Sequence, residues 1–226
     1  MNTVSYSTIL SSVSDSKHKN MSHAKNKLGI LTFNRAWNEG ALLQSYCLTK
    51  ALQSELIEYQ VEVVDHQYPK KQHDYGPAND ARKDCLKQFS DESIPTSKYK
   101  CNSNKHTKTF KELAENYQGV VVGSDQVWKL QYPRKRYGLI PTKRSPMYPA
   151  FPNLYWPNSQ LKIPKIAYAV SIGRTLWESI PNGDIRLMQD YLRDFSLLGV
   201  RDTRTEKFLE FLGSEFIDNA QRVPDP

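Results

Sequence analysis

Lys27-Leu-Gly-Ile-Leu-Thr-Phe33 is a short apolar run rich in strand formers, ending in turn chemistry at Asn34. It reads as a first, buried strand. Asn38-Glu-Gly40 is turn-like, and Ala41–Leu52 then carries Leu42, Leu43, Tyr46, Cys47 and Leu52 at helical spacing. Gln60-Val-Glu-Val-Val-Asp65 is a second strand. Strand, turn, helix and strand in that order make a βαβ unit. That order predicts a parallel sheet covered by helices.

The alternation continues toward the C-terminus. Thr107–Asn116 reads as a helix, Gly119-Val-Val-Val122 as a strand and Lys165–Ser171 as another. Asp184–Phe195 is helical, Leu197–Asp202 is a strand and Thr203–Leu212 is a helix stopped by Gly213. The polar stretch 66–106 predicts loop with one short helix around Asn79–Phe89. Residues 1–26 hold seven serines and read as a disordered leader. The expected fold is α/β, a Rossmann-like parallel sheet with helices on both faces, over residues 27–226. Cys47 lies on the apolar helix face and is expected in the core.

The charge has a particular address. The chain has 226 residues, with 31 Lys and Arg against 24 Asp and Glu. Between Gln126 and Trp177 there is no carboxylate, while nine basic residues fall there; outside it the chain is 22 basic against 24 acidic. Nine aromatics and seven of the 13 prolines share the segment. It reads as a basic insertion at about 129–164. Such a segment suits solvated surface charge, an anionic small molecule or glycan, or a single nucleic-acid strand. Three cysteines without CxxC spacing argue against a disulfide scaffold or zinc knuckle, and a reducing cytoplasm is the default. No run of 18 apolar residues exists.

In an open α/β sheet, ligands bind beyond the carboxyl ends of the strands. After the first strand lie Asn38, Gly40 and Gln44, where free N–H groups at a helix start favour an anion, or where Asn and Gly are simply turn and cap residues. After the third comes Gly123-Ser124-Asp125-Gln126-Val127-Trp128. Gly123 permits close approach, Ser124 and Asp125 can cap a following helix, and Trp128 offers a flat wall or a core side chain. Ser171 follows the fourth strand. Arg201 follows the fifth, suited to a carboxylate or phosphate, or to an ion cluster with Asp202 and Arg204. No HExxH, GxSxG, Walker A or GxGxxG pattern occurs, so no metal or nucleotide cofactor is expected.

Several pieces resemble the polysaccharide pyruvyl transferase family. They are Gly29-Ile-Leu-Thr-Phe33, Asn38-Glu-Gly-Ala-Leu-Leu-Gln44, Val121-Val-Gly-Ser-Asp-Gln-Val-Trp128, Ile166-Ala-Tyr-Ala-Val-Ser-Ile-Gly173, Val200-Arg-Asp202 and Val223-Pro-Asp-Pro226. The chain departs from the family pattern at Glu39, at Lys129 and around Gln118–Gly119. The resemblance implies the N-terminal domain of a B-type glycosyltransferase fold. It implies transfer of a pyruvyl group from phosphoenolpyruvate, the donor substrate, to sugar hydroxyls of a surface glycan. Arg201 would be the catalytic contact, with Asn38, Gly40, Gln44, Gly123, Ser124, Asp125, Gln126, Trp128 and Ser171 lining the substrate site. Expected partners are phosphoenolpyruvate and a glycan acceptor, with lipid-linked glycan at a membrane surface as one form and no nucleic acid. The family's catalytic His lies in a second domain after the Asp-Pro motif, so the chain reads as an N-terminal half. The alternatives are a B-type glycosyltransferase using a nucleotide sugar, or a non-catalytic module binding an anion or nucleic acid.

Overall fold

The structure is a computed structural model. It describes residues 26–34, 38–66, 81–101, 106–132, 135–136, 140–141 and 151–226. The expected leader lies almost wholly outside these, as does most of the basic stretch from 133 to 150.

The elements are β1 (Lys27–Leu31), α1 (Glu39–Glu55), β2 (Gln60–His66), α2 (Ala81–Ser93), β3 (Thr96–Cys101), α3 (His106–Asn116) and β4 (Gly119–Asp125). A two-residue pair follows, β5 (Lys135–Arg136) and β6 (Ile140–Pro141). Then come β7 (Lys165–Val170), α4 (Asn182–Arg193), β8 (Leu197–Val200), α5 (Thr203–Leu212), α6 (Ser214–Asp218) and β9 (Ala220–Arg222). Seven strands form one sheet in the order β3-β2-β1-β4-β7-β8-β9, and every pairing in it is parallel. The predicted Rossmann-like α/β class is observed.

Alternation along the strands builds two cores. Leu28, Ile30, Val61, Val63, Val121 and Ile166 face α1, against Leu42, Leu48 and Leu52. Leu31, Val64, Val120, Val122 and Ala167 face the other way, against Phe110 and Leu113 of α3, Met188 and Leu192 of α4, and Phe208 and Leu209 of α5. A parallel strand is covered on both sides, so its residues are apolar without a polar face.

Three expectations need correction. The polar stretch 66–106 contains β3, and β9 was not foreseen either. Both are edge strands, which pair on one side only and carry more polar residues. Ser97 of β3 accepts a hydrogen bond from the Asp65 N–H at 2.9 Å. Second, no helix follows Gly123-Ser-Asp-Gln; a turn does, closed by Lys129 N–H on the Gln126 carbonyl at 3.0 Å. Third, the large apolar side chains in the described part of the basic segment are core, while Gln160 and Lys162 stay exposed. Trp128, Leu154, Tyr155, Trp156 and Leu161 are all buried. Trp128 stacks on Trp156 at 4.7 Å between ring centroids, and Phe151 meets Trp156 edge-on at 5.6 Å. These rings are consumed by packing, which removes them as a stacking platform for bases. Lys165 is buried as well; its Nζ donates to the Asn158 and Leu161 carbonyls at 3.1 Å each, and burial lowers its pKa despite nearby Asp194. Cys47 is half-buried rather than core. Among the described residues no helix is long and apolar enough to cross a membrane.

Candidate functional site

The chain runs outward from β1 through β2 to β3, then returns to place β4 on the other side of β1. The topological switch point therefore lies between the carboxyl ends of β1 and β4. Two groups of predicted residues meet along this end of the sheet.

The first group is closed. Gln44 Nε2 donates to Thr32 Oγ1 at 3.0 Å and to the Ala41 carbonyl at 2.8 Å. Thr32 Oγ1 donates to the Ser124 carbonyl at 3.0 Å. The Ser124 hydroxyl donates to Gln44 Oε1. All three side chains are buried. A fully satisfied buried network is rigid and directional, so this one ties α1 to the ends of β1 and β4. Gln44 and Ser124 thus sit in the wall behind the crevice, not on its surface. Thr32 was not singled out in the sequence, though its place in Gly29-Ile-Leu-Thr-Phe33 was. Asn38 is the N-cap of α1, its Oδ1 accepting from the Ala41 N–H at 3.0 Å. Gly40 lies exposed in the first turn. Glu39 binds Arg82 of α2 through both carboxylate oxygens, and that contact holds its pKa at about 2.

The second group is open to solvent. Gly123 has φ +114°, and a Cβ there would lie 2.1 Å from the Tyr168 carbonyl oxygen. Only glycine fits where β4 meets β7. Asp125 has φ +85°, rare for a residue with a side chain. Its carbonyl accepts from the Ser171 N–H at 3.0 Å. Its carboxylate accepts from the Gln126 N–H at 2.7 Å and from Arg201 Nη2 at 3.5 Å. Arg201 Nη1 donates to both oxygens of Asp225, each at 3.0 Å. The Arg201 side chain retains 21% of its exposure, Asp125 22% and Asp225 51%. Backbone strain held by several contacts is a mark of functional sites. Gly173 has φ +56°, with Gln126 and Lys129 packed against it, so the Gln126 side chain belongs to the same rim.

Behind Arg201, Asp202 caps α5. Its Oδ1 accepts from the Thr205 N–H at 2.8 Å and the Thr205 hydroxyl at 2.9 Å. Burial pushes the Asp202 pKa up, but hydrogen bonds from Ser171 and Thr205 and the charge of Arg201 outweigh it, and the net shift is down. Ser171 is buried and also accepts from the Gly173 N–H at 3.0 Å. The Thr205 hydroxyl in turn accepts from the Ile172 N–H at 3.1 Å. So the ends of β7 and β8 and the start of α5 are locked together next to Arg201. The predicted cluster of Arg201, Asp202 and Arg204 takes another form, because Arg204 turns away to the Thr175 carbonyl at 2.8 Å and the Trp177 ring at 4.6 Å.

A strand end gated by glycine, a strained aspartate and an arginine in reach of it fit the motif order read from the sequence. The family model for polysaccharide pyruvyl transferase matches residues 38–226. The chain belongs to the polysaccharide pyruvyl transferase family. Comparison with curated proteins and with solved structures returned no match.

Within this pyruvyl transferase fold the predicted site residues divide. Asp125, Gln126 and Arg201 converge on the open rim. Gln44, Ser124 and Ser171 support it from behind, and Gly123 permits the close strand contact. Trp128 is fully buried, its Nε1 donating to the Tyr155 carbonyl at 2.9 Å, so it is a core residue and not a wall. Asn38 and Gly40 lie at the start of α1, across the switch point. Asp225, which the Val223-Pro-Asp-Pro226 piece carries, is not among the predicted residues but contacts Arg201 here. Among the described residues, no group of three or more His, Cys, Asp or Glu is placed to hold a metal. A separate groove of about 460 Å³ lies between α1, α2 and the start of β3. It contains none of the predicted site residues.

Proposed function

We propose that this domain takes part in transferring a pyruvyl group from phosphoenolpyruvate to hydroxyls of a surface glycan. The observation that carries the reading is the partly exposed Arg201 guanidinium at the carboxyl end of β8, beside Asp125. Membership of the family supports the reaction class, and the guanidinium supplies the chemistry a donor bearing a phosphate and a carboxylate needs.

The reaction balances without a redox partner. One sugar hydroxyl oxygen bonds to the enol carbon of the donor while the terminal methylene gains a proton and becomes a methyl group. A second hydroxyl oxygen then bonds to the same carbon as the carbon–oxygen bond to phosphate breaks, and phosphate leaves. The two hydroxyl protons balance the methyl group and the released phosphate. Arg201 would hold the donor's anionic end and offset charge as phosphate departs. Lys129 and Arg174, beside Gly173, follow the carboxyl ends of β4 and β7 and add positive potential. The acceptor would approach over Asp125 and Gln126: the Gln126 amide oxygen can accept a hydrogen bond from a sugar hydroxyl, and the Asp125 carboxylate can take the hydroxyl proton.

Phosphorus NMR tests the donor half of this. Adding the full chain to phosphoenolpyruvate should shift or broaden the phosphorus resonance saturably, and Arg201→Ala should abolish the change. An unaltered resonance with the wild-type chain would contradict it.

A further inference from the structure

The Arg201 fork is already occupied. Asp225 takes one terminal nitrogen with both carboxylate oxygens at 3.0 Å, while Asp125 reaches the other at 3.5 Å. The two carboxylates differ in how they are held. Asp125 is fixed at the end of β4 by the Ser171 and Gln126 N–H groups. Asp225 stands half-exposed two residues beyond Val223, whose N–H is pinned to the Val200 carbonyl at 2.9 Å. Of the pair, Asp225 is the more exposed. One arginine against two aspartates gives this group a formal charge of −1, which opposes an incoming anion.

We infer that Asp225 is a specificity-determining residue, an internal carboxylate that competes with the incoming anion for Arg201. Asp125 keeps the guanidinium oriented while Asp225 is exchanged for ligand. A carboxylate or a phosphate can replace the Asp225 carboxylate at Nη1 charge for charge. A neutral group does not. The site thereby selects ligands charged strongly enough to displace a carboxylate, at a cost in affinity. This inference rests on the reading that Arg201 meets an anionic donor.

The test is titration calorimetry of inorganic phosphate and of phosphoenolpyruvate into the full wild-type chain, Asp225→Asn and Arg201→Ala. Asp225→Asn keeps shape and removes the competing charge, and a half-exposed side chain tolerates it. The inference predicts that Asp225→Asn binds phosphate about fivefold more tightly than wild type, the scale of an exposed ion pair, with a melting temperature lowered by no more than about 4 °C. Unchanged or weaker phosphate binding overturns it, because Asp225 would then be merely structural or would help to position Arg201. Asp225→Ser repeats the comparison in case the Asn amide itself donates to the anion. If phosphate tightens but phosphoenolpyruvate binds none of the variants, the competitor role stands and the donor reading falls. If phosphoenolpyruvate binds wild type and Asp225→Asn alike and is lost in Arg201→Ala, the donor reading stands and the competitor role falls.

Discussion

Trp128 and Trp156 stack face to face at 4.7 Å although 28 positions separate them in the chain. Both are fully buried. Their contact fastens the turn after β4 to the loop at 151–164. Trp156→Ala should cost about 3–5 kcal/mol, the range for emptying a large aromatic site. Trp156→Phe should cost much less. The buried Nε1 of Trp156 finds no hydrogen-bond partner among the described residues, so removing it forfeits no bond. Urea unfolding of the two variants checks the order.

Gly123→Ala should destabilise by about 3 kcal/mol or more. The added Cβ would meet a backbone oxygen at 2.1 Å, which cannot rotate away as a side chain can, and the backbone sits at φ +114°. Denaturant midpoints would show it. A loss below about 1 kcal/mol would mean that the β4–β7 contact is looser than described.

Asp202 links stability to pH. Its folded pKa lies below its ordinary 3.8. A lowered carboxylate contributes stability that is present above the unfolded value and is lost as pH falls through the folded one. Asp202→Ala should lose the cap, about 1 kcal/mol at neutral pH. Asp202→Asn should keep the cap better, since its Oδ1 can accept the same two bonds. Both variants should show a flatter acid limb than wild type when urea midpoints are compared from neutral pH to about pH 3. An acid limb as steep as wild type in both would exclude Asp202 as a contributor.

The sheet was legible where the strands are buried on both faces. Lys27–Leu31, Gly119–Val122, Lys165–Val170 and Leu197–Val200 read as apolar runs because neighbours and helices surround them. Thr96–Cys101 and Ala220–Arg222 did not, because an edge strand needs no such run. Of the strand-end polar residues legible in the sequence, Asp125 and Arg201 come into contact in the fold. What local sequence could not show was which polar residues turn inward. Ser124 and Gln44 bind each other across 80 positions, and Asp225 reaches Arg201 across 24. Such pairings come from the order of strands in the sheet, and no spacing rule along the chain contains that.

The most direct test of the account is calorimetric titration of phosphoenolpyruvate into the full chain, wild type against Arg201→Ala and Arg201→Lys. The account predicts saturable binding to wild type, and loss of it in Arg201→Ala with the melting temperature nearly kept. Arg201→Lys should bind weakly, because one ammonium cannot keep Asp125 on one terminal nitrogen and offer another to the donor. Binding that survives intact in Arg201→Ala would contradict the claim that this arginine holds the donor.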